Sequence, residues 1–246
     1  MTKAISIIGV DCSTNPKKLG LARGIYSDGK CMVIESTIGV EDPVGHIVAW
    51  IKSAERCLIA IDAPLGWPQP MGQMLAGHQA GDPLREDSNK LFRRYTDRFI
   101  KQSLNKQPLD VGSNLIARTA HFAVNFLESV RERSGETIPM AWHPVFDACC
   151  AAIEVYPAAT LEARRISSLG YKKPEQRDVR RRLIEILSDE LIIEGDADKV
   201  VATDDTFEAA ICLLAAADFL NNKCYLPSND KLDLVKKESW IWVKQQ

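Results

Sequence analysis

The sequence has no surplus of positive charge: 31 Lys and Arg stand against 33 Asp and Glu, a formal net charge of −2 with His neutral. That balance excludes a generally basic nucleic-acid coat protein. It also lacks any Cys-x-x-Cys or His-Glu-x-x-His spacing, and its four histidines (46, 78, 121 and 143) lie far apart, which argues against a structural zinc site. No stretch approaches the roughly 18 uninterrupted apolar residues of a membrane span. The start of the chain has neither the long hydrophobic region nor the small-residue cleavage site of a secretory signal. Internal repeats and low-complexity tracts are absent. The seven cysteines are odd in number, scattered and mostly inside apolar runs, and so read as reduced core residues. What is present is ordinary globular composition, 46% hydrophobic and 26% charged, over 246 residues. A single domain of this size buries about 70–75% of the surface of its unfolded chain and needs no staples. We therefore expect one cytoplasmic, non-membrane domain over residues 1–246.

The run AISIIGV (4–10) is short, continuous and β-branched, as in a strand buried on both faces, and it ends at Asp11. LGLARGIY (19–26), a Ser27-Asp28-Gly29-Lys30 turn and CMVIESTIG (31–39) continue it as a meander. A helix is expected over 44–56, then a fourth strand over 57–61 that stops at Asp62. Residues 66–149 form a largely helical insertion, with long helical patterns at 85–106 and 113–133. A fifth strand follows at 150–155, then helices at 176–189 and 205–221 and a short aromatic strand at 239–243. Three antiparallel strands followed by helix-linked strands is the order of a ribonuclease H-like α/β fold, a mixed five-stranded sheet flanked by helices.

Ligands of open α/β sheets bind beyond the carboxyl ends of the strands. Strands one, four and five end at Asp11, Asp62 and Glu154, so these acids should converge, joined by Asp205 at the head of the helix DDTFEAAICLLAAADFL. Helix spacing puts Asp204 and Glu208 on one side of that helix. Clustered carboxylates need raised pKa values or bound cations, and hard oxygen ligands favour Mg²⁺ or Mn²⁺. Simpler readings exist for each. Asp11 and Asp62 would serve as turn residues, and Asp205 with Glu208 as a capping box. Glu154, inside an apolar strand, must be paired with an Arg or bound to metal.

The segments Gly9-Val10-Asp11, IAIDAPLGWP (59–68), Arg94-Tyr95-Thr96-Asp97-Arg98, IEVYPAA (153–159), DDTFEAAICLLAA (204–216) and ESWIWV (238–243) together span nearly the whole chain. In them the sequence resembles a poorly characterised family of predicted ribonuclease H-like nucleases. The resemblance implies a metal-dependent nuclease activity, with Asp11, Asp62, Glu154 and Asp205 as the matching acids.

Charge is segregated along the chain. Residues 85–106 hold seven basic and three acidic residues, 164–182 hold eight and two, and 185–208 hold one and nine. If the basic stretches border the acids they would hold phosphates, with Arg94, Thr96, Asp97, Lys172 and Lys173 as candidate substrate contacts. Otherwise they are solvated helix faces, and Arg94 with Asp97 a surface ion pair. The function these features favour is two-metal phosphodiester hydrolysis of nucleic acid, with Asp11, Asp62, Glu154 and Asp205 as both catalytic and metal-binding residues. Two other classes remain open: an ATP-dependent phosphotransferase of actin-like or sugar-kinase-like topology, and a non-catalytic nucleic-acid-binding module.

Overall fold

The structure is a computed structural model and describes residues 4–246. The opening apolar run is β1 (Ile5–Asp11), buried along its whole length at the centre of the sheet. β2 (Gly20–Ser27) and β3 (Lys30–Ile38) follow it as an antiparallel meander. Their turn holds Asp28 and Gly29 at φ of 50° and 81°, the paired left-handed geometry that suits a two-residue hairpin. α1 (Pro43–Lys52) leads to β4 (Cys57–Asp62), parallel to β1. Next come α2 (Gln69–Leu75), α3 (Ser88–Phe92), α4 (Tyr95–Leu104) and α5 (Asn114–Ser134), then β5 (Cys150–Glu154), parallel to β4. The helical pattern over 85–106 is thus two helices, divided where Arg93 and Arg94 take extended backbone. The remaining elements are α6 (Pro157–Glu162), α7 (Arg177–Ile186), β6 (Leu191–Ile193), α8 (Ala197–Val200), α9 (Asp204–Leu220) and α10 (Leu232–Glu238).

The sheet is mixed and six-stranded, in the order β5-β4-β1-β2-β3-β6. Its edges correct two expectations. A sixth strand, β6, pairs in parallel with β3; three residues inside an acidic run are too short for a periodic signal. Residues 239–243 form no strand. Ile241 makes an isolated bridge to Glu154 and Lys244 another to Cys224, because Ser239 turns the chain at φ 71° and the Ile241 N–H donates to Thr96 Oγ1.

Alternation along the strands sorts the core into two layers. Ile5 and Ile7 of β1, Leu58 and Ala60 of β4, and Ala151 and Ile153 of β5 lie on the side covered by α9. Ile8 and Val10, Ile59 and Ile61, and Cys150 and Ala152 lie on the side of α1 and α5. α5 meets them through Ala123, Phe126, Leu127 and Val130, a stripe at helical spacing. α9 is buried from Thr206 to Phe219 rather than on one face only.

Glycine permits this close approach of α9. A Cβ on Gly9 would stand 2.0 Å from the carbonyl oxygen of Ala209. Gly9→Ala is expected to cost about 1–3 kcal/mol through overpacking, read as a loss of several degrees in thermal unfolding. Wild-type stability in that variant would contradict the contact. Among the described residues, no helix is long and apolar enough to cross a membrane.

Candidate metal centre

Register builds the site. Asp11 and Asp62 are the last pair of the parallel β1–β4 ladder, so their side chains share a face, the α9 face that Ile7 and Ala60 occupy two residues or more before. Glu208, one turn into α9, reaches the same place. One carboxylate oxygen from each of Asp11, Asp62 and Glu208 lies within 4.8 Å of the others. The cluster opens into a cleft of about 240 Å³ at the carboxyl edge of the sheet, where the topology of open α/β sheets places ligands.

Burial, then the neighbouring Glu208 and Asp62 carboxylates, hold the Asp11 pKa well above the ordinary range. Asp62 is raised too, by burial and then by Glu208. Tyr171 Oη donates to Glu208 Oε1 at 2.7 Å and Lys172 Nζ donates to Glu208 Oε2 at 2.9 Å. Burial opposes the charge on Lys172, but Glu208, Asp62 and Asp11 together hold its pKa above the ordinary value. Cys12 also lines the cleft; burial and the adjacent Asp11 and Asp62 push its thiol up, which keeps it protonated and a poor nucleophile.

The acids named from sequence fall in different places. Asp205 is half-buried in the first turn of α9, its pKa pushed up to about 6 by burial and by Asp204. It raises the Asp11 pKa across space without joining the three converged carboxylates. The helix cap is Thr203, whose hydroxyl accepts from the Thr206 N–H, so Asp205 is not the N-cap and Glu208 is free of capping.

Glu154 leaves the sheet on the opposite face from Asp62. It pairs in register with Ile61, not with Asp62, and alternation directs it to the α1 and α5 side. There both of its oxygens lie 2.8 Å from the guanidinium of Arg94, and Oε2 also accepts from the Leu65 N–H. Arg94 grips Asp97 with the rest of its fork, Nη2 at 2.8 Å from Oδ1 and Nε at 3.1 Å from Oδ2. Arg94, Asp97 and Glu154 are each at most 1% exposed, so this is a buried network and not a surface pair. Glu238 accepts from the Gln69 and Tyr95 N–H groups at 2.7 and 2.6 Å, and Thr96 holds Ile241. Arg94, Thr96 and Asp97 thus tie α4 to β5 and to the C-terminal segment, with Arg94 and Glu154 forming part of the cleft wall. Both Lys172 and Lys173 are exposed, but only Lys172 reaches the cluster, through Glu208, while the Lys173 carbonyl accepts from Arg180.

The residue that sequence reasoning passed over as a site member is Glu208. Its signal is present: an acid flanked by Phe207, Ala209, Ala210, Ile211 and Cys212, where the helix turns apolar, has little solvent to face.

Fold and site together define an α/β protein with a mixed six-stranded sheet and a buried carboxylate cluster at its carboxyl edge. The chain belongs to the family described as "Protein of unknown function (DUF429)", which matches residues 9–232. No curated protein matches the sequence. Among solved structures, it is similar to T. thermophilus RuvC in complex with a Holliday junction substrate, at 12% identity and a TM-score of 0.34, over 87% of this chain and 94% of that one. Another similarity is to the Aquifex aeolicus PPX-GPPA enzyme, at 11% identity and a TM-score of 0.15, over 99% and 96% of the two chains.

Proposed function

We propose that this protein is a metal-dependent nuclease: a single ribonuclease H-like domain, with residues 66–149 inserted, that hydrolyses phosphodiester bonds of nucleic acid. The observation that carries this reading is the convergence of Asp11, Asp62 and Glu208 within 4.8 Å in an open cleft. The donor set fits hard divalent cations such as Mg²⁺ or Mn²⁺, because it is all carboxylate and includes no His or thiolate. Its acids are held above their ordinary pKa values by burial and mutual repulsion, a strain that a cation relieves. When bound, a divalent cation supplies Lewis-acid stabilisation of the charge that builds on the phosphoryl oxygens.

In this reading Asp11, Asp62 and Glu208 are the ligands, with Glu208 taking the place expected of Glu154, whose charge is engaged by Arg94. Asp205 adds negative potential from one turn away. Lys172, held on Glu208, is positioned to meet a phosphate oxygen. In the reaction, a water oxygen bonds to phosphorus as the bond to the leaving sugar oxygen breaks, and that oxygen takes up a proton. Seven free cysteines support a reducing, cytoplasmic setting. The test is incubation with Mn²⁺ or Mg²⁺ and single-stranded, duplex, hybrid and branched substrates. Cleavage lost in Asp11→Asn is the expected result; no cleavage of any substrate, or cleavage undiminished in that variant, would overturn the proposal.

A further inference from the structure

The cleft has a mixed lining: Asp11, Asp62, Glu208 and Lys172, with the Arg94–Glu154 pair, are its charged part, and Leu109, Ile116 and Tyr156 are among its apolar and aromatic part. Leu109 is 65% exposed, an apolar side chain left open beside a charged cluster. Burial and then Asp62 push the Tyr156 phenol up to about 12, so at neutral pH it keeps its proton, and its hydroxyl bonds to no described residue. Apolar and aromatic side chains with one free hydroxyl, in the same cleft as a lysine and a carboxylate cluster, are the chemistry that holds a nucleobase and its phosphate.

The surrounding charge argues against a long phosphate track. Arg94 and Arg180 are buried and bonded to acids or carbonyls. Arg164 pairs with Glu190 and Asp218, while Arg177 and Arg181 share Asp198. In the two basic stretches only Arg85, Arg165, Lys173 and Arg182 have no side-chain partner among the described residues. The cleft, at about 240 Å³, is smaller than the ~300–1,000 Å³ of pockets that enclose drug-sized ligands.

We infer that the site takes one unpaired nucleotide of a single strand at a time, its base against Leu109, Ile116 and Tyr156 and its phosphate toward Lys172 and the carboxylates. This rests on the nuclease reading above. Few phosphates are then gripped, so affinity depends weakly on salt: one or two contacts to a single strand give a log–log slope of about −0.7 to −1.4, against about −5 to −9 for six to ten contacts to a duplex.

The experiment is fluorescence anisotropy on the full chain with Ca²⁺ in place of a catalytic ion, using a short oligothymidylate, a closed fully paired duplex and thymidine monophosphate. The single strand is expected to bind at least about tenfold more tightly than either of the others, with the shallow slope. Leu109→Ser should weaken it by about 10–150-fold, the range for one leucine side chain buried on binding, while calorimetric Mn²⁺ binding stays at the wild-type level. Preference for the duplex, a steep slope, or an unaffected Leu109→Ser would overturn the inference. Equal affinity for thymidine monophosphate would assign the pocket to free nucleotides and overturn it as well. Mn²⁺ binding without affinity for any nucleic acid would remove the nuclease reading and this inference together.

Discussion

Arg94→Met is expected to destabilise the fold by about 3–5 kcal/mol, the cost of removing one partner from a buried ion pair and leaving the other charge uncompensated. Two acids are left here. Asp97 and Glu154 both lose a forked partner, and neither has water to turn to. Because domains are stable by only about 5–15 kcal/mol, and each kcal/mol moves a chain of this size by about 2–4 °C, the melting temperature should fall by roughly 6–20 °C. Arg94→Lys should lose less, since it keeps the charge but cannot grip two carboxylates at once. Adding Glu154→Gln to Arg94→Met should recover part of the loss by removing one orphaned charge. Thermal and urea unfolding of the three variants measures this. Wild-type stability in Arg94→Met would show that the network does not hold the segment between β4 and β5 against the C-terminal chain.

Asp62→Asn is expected to change stability in opposite directions with and without metal. In the metal-free protein the Asp62 carboxyl has a raised pKa, from burial and then from Glu208. Such a group binds its proton more tightly folded than unfolded, so the wild type loses stability as pH rises from the unfolded value of about 4 through the folded one. The Asn variant does not. It should match the wild type near pH 4 and exceed it at pH 8, by on the order of 1 kcal/mol or about 2–4 °C. With Mn²⁺ at 100 times its dissociation constant the wild type gains about 2.7 kcal/mol by mass action, and Asp62→Asn should gain almost none. A variant less stable than the wild type at pH 8 without metal would refute the repulsion; one equally stabilised by Mn²⁺ would refute the ligand.

Both outcomes depend on features that differ in how far they can be read from sequence. The meander, the buried β1 and the acids at the ends of β1 and β4 are local signals: β-branched runs, a turn dipeptide, and an Asp where each run stops. The relation of Glu154 to those acids is not local. It depends on β5 pairing Glu154 with Ile61 and not with Asp62, a long-range register that one residue of slip would reverse. Glu208 was visible as an acid in an apolar helix, but the Asp-x-x-Glu spacing offered a simpler use for it, and Thr203 takes the cap instead. The basic stretches show the same limit. Their charge is countable along the chain, yet Arg164 finds Asp218 and Arg180 finds the carbonyl of Val201 only through folding. β6 was hidden for another reason, since three residues carry too little pattern to distinguish a strand from a turn.

The central claim is that Asp11, Asp62 and Glu208 bind a divalent cation while Glu154 stays with Arg94. A crystal grown with Mn²⁺ and measured for anomalous scattering tests it most directly. A peak is expected within coordination distance of Asp11, Asp62 and Glu208, with the Arg94–Glu154 pair intact. A peak ligated by Glu154 with Glu208 turned away, or no peak at the carboxyl edge of β1 and β4, would contradict it.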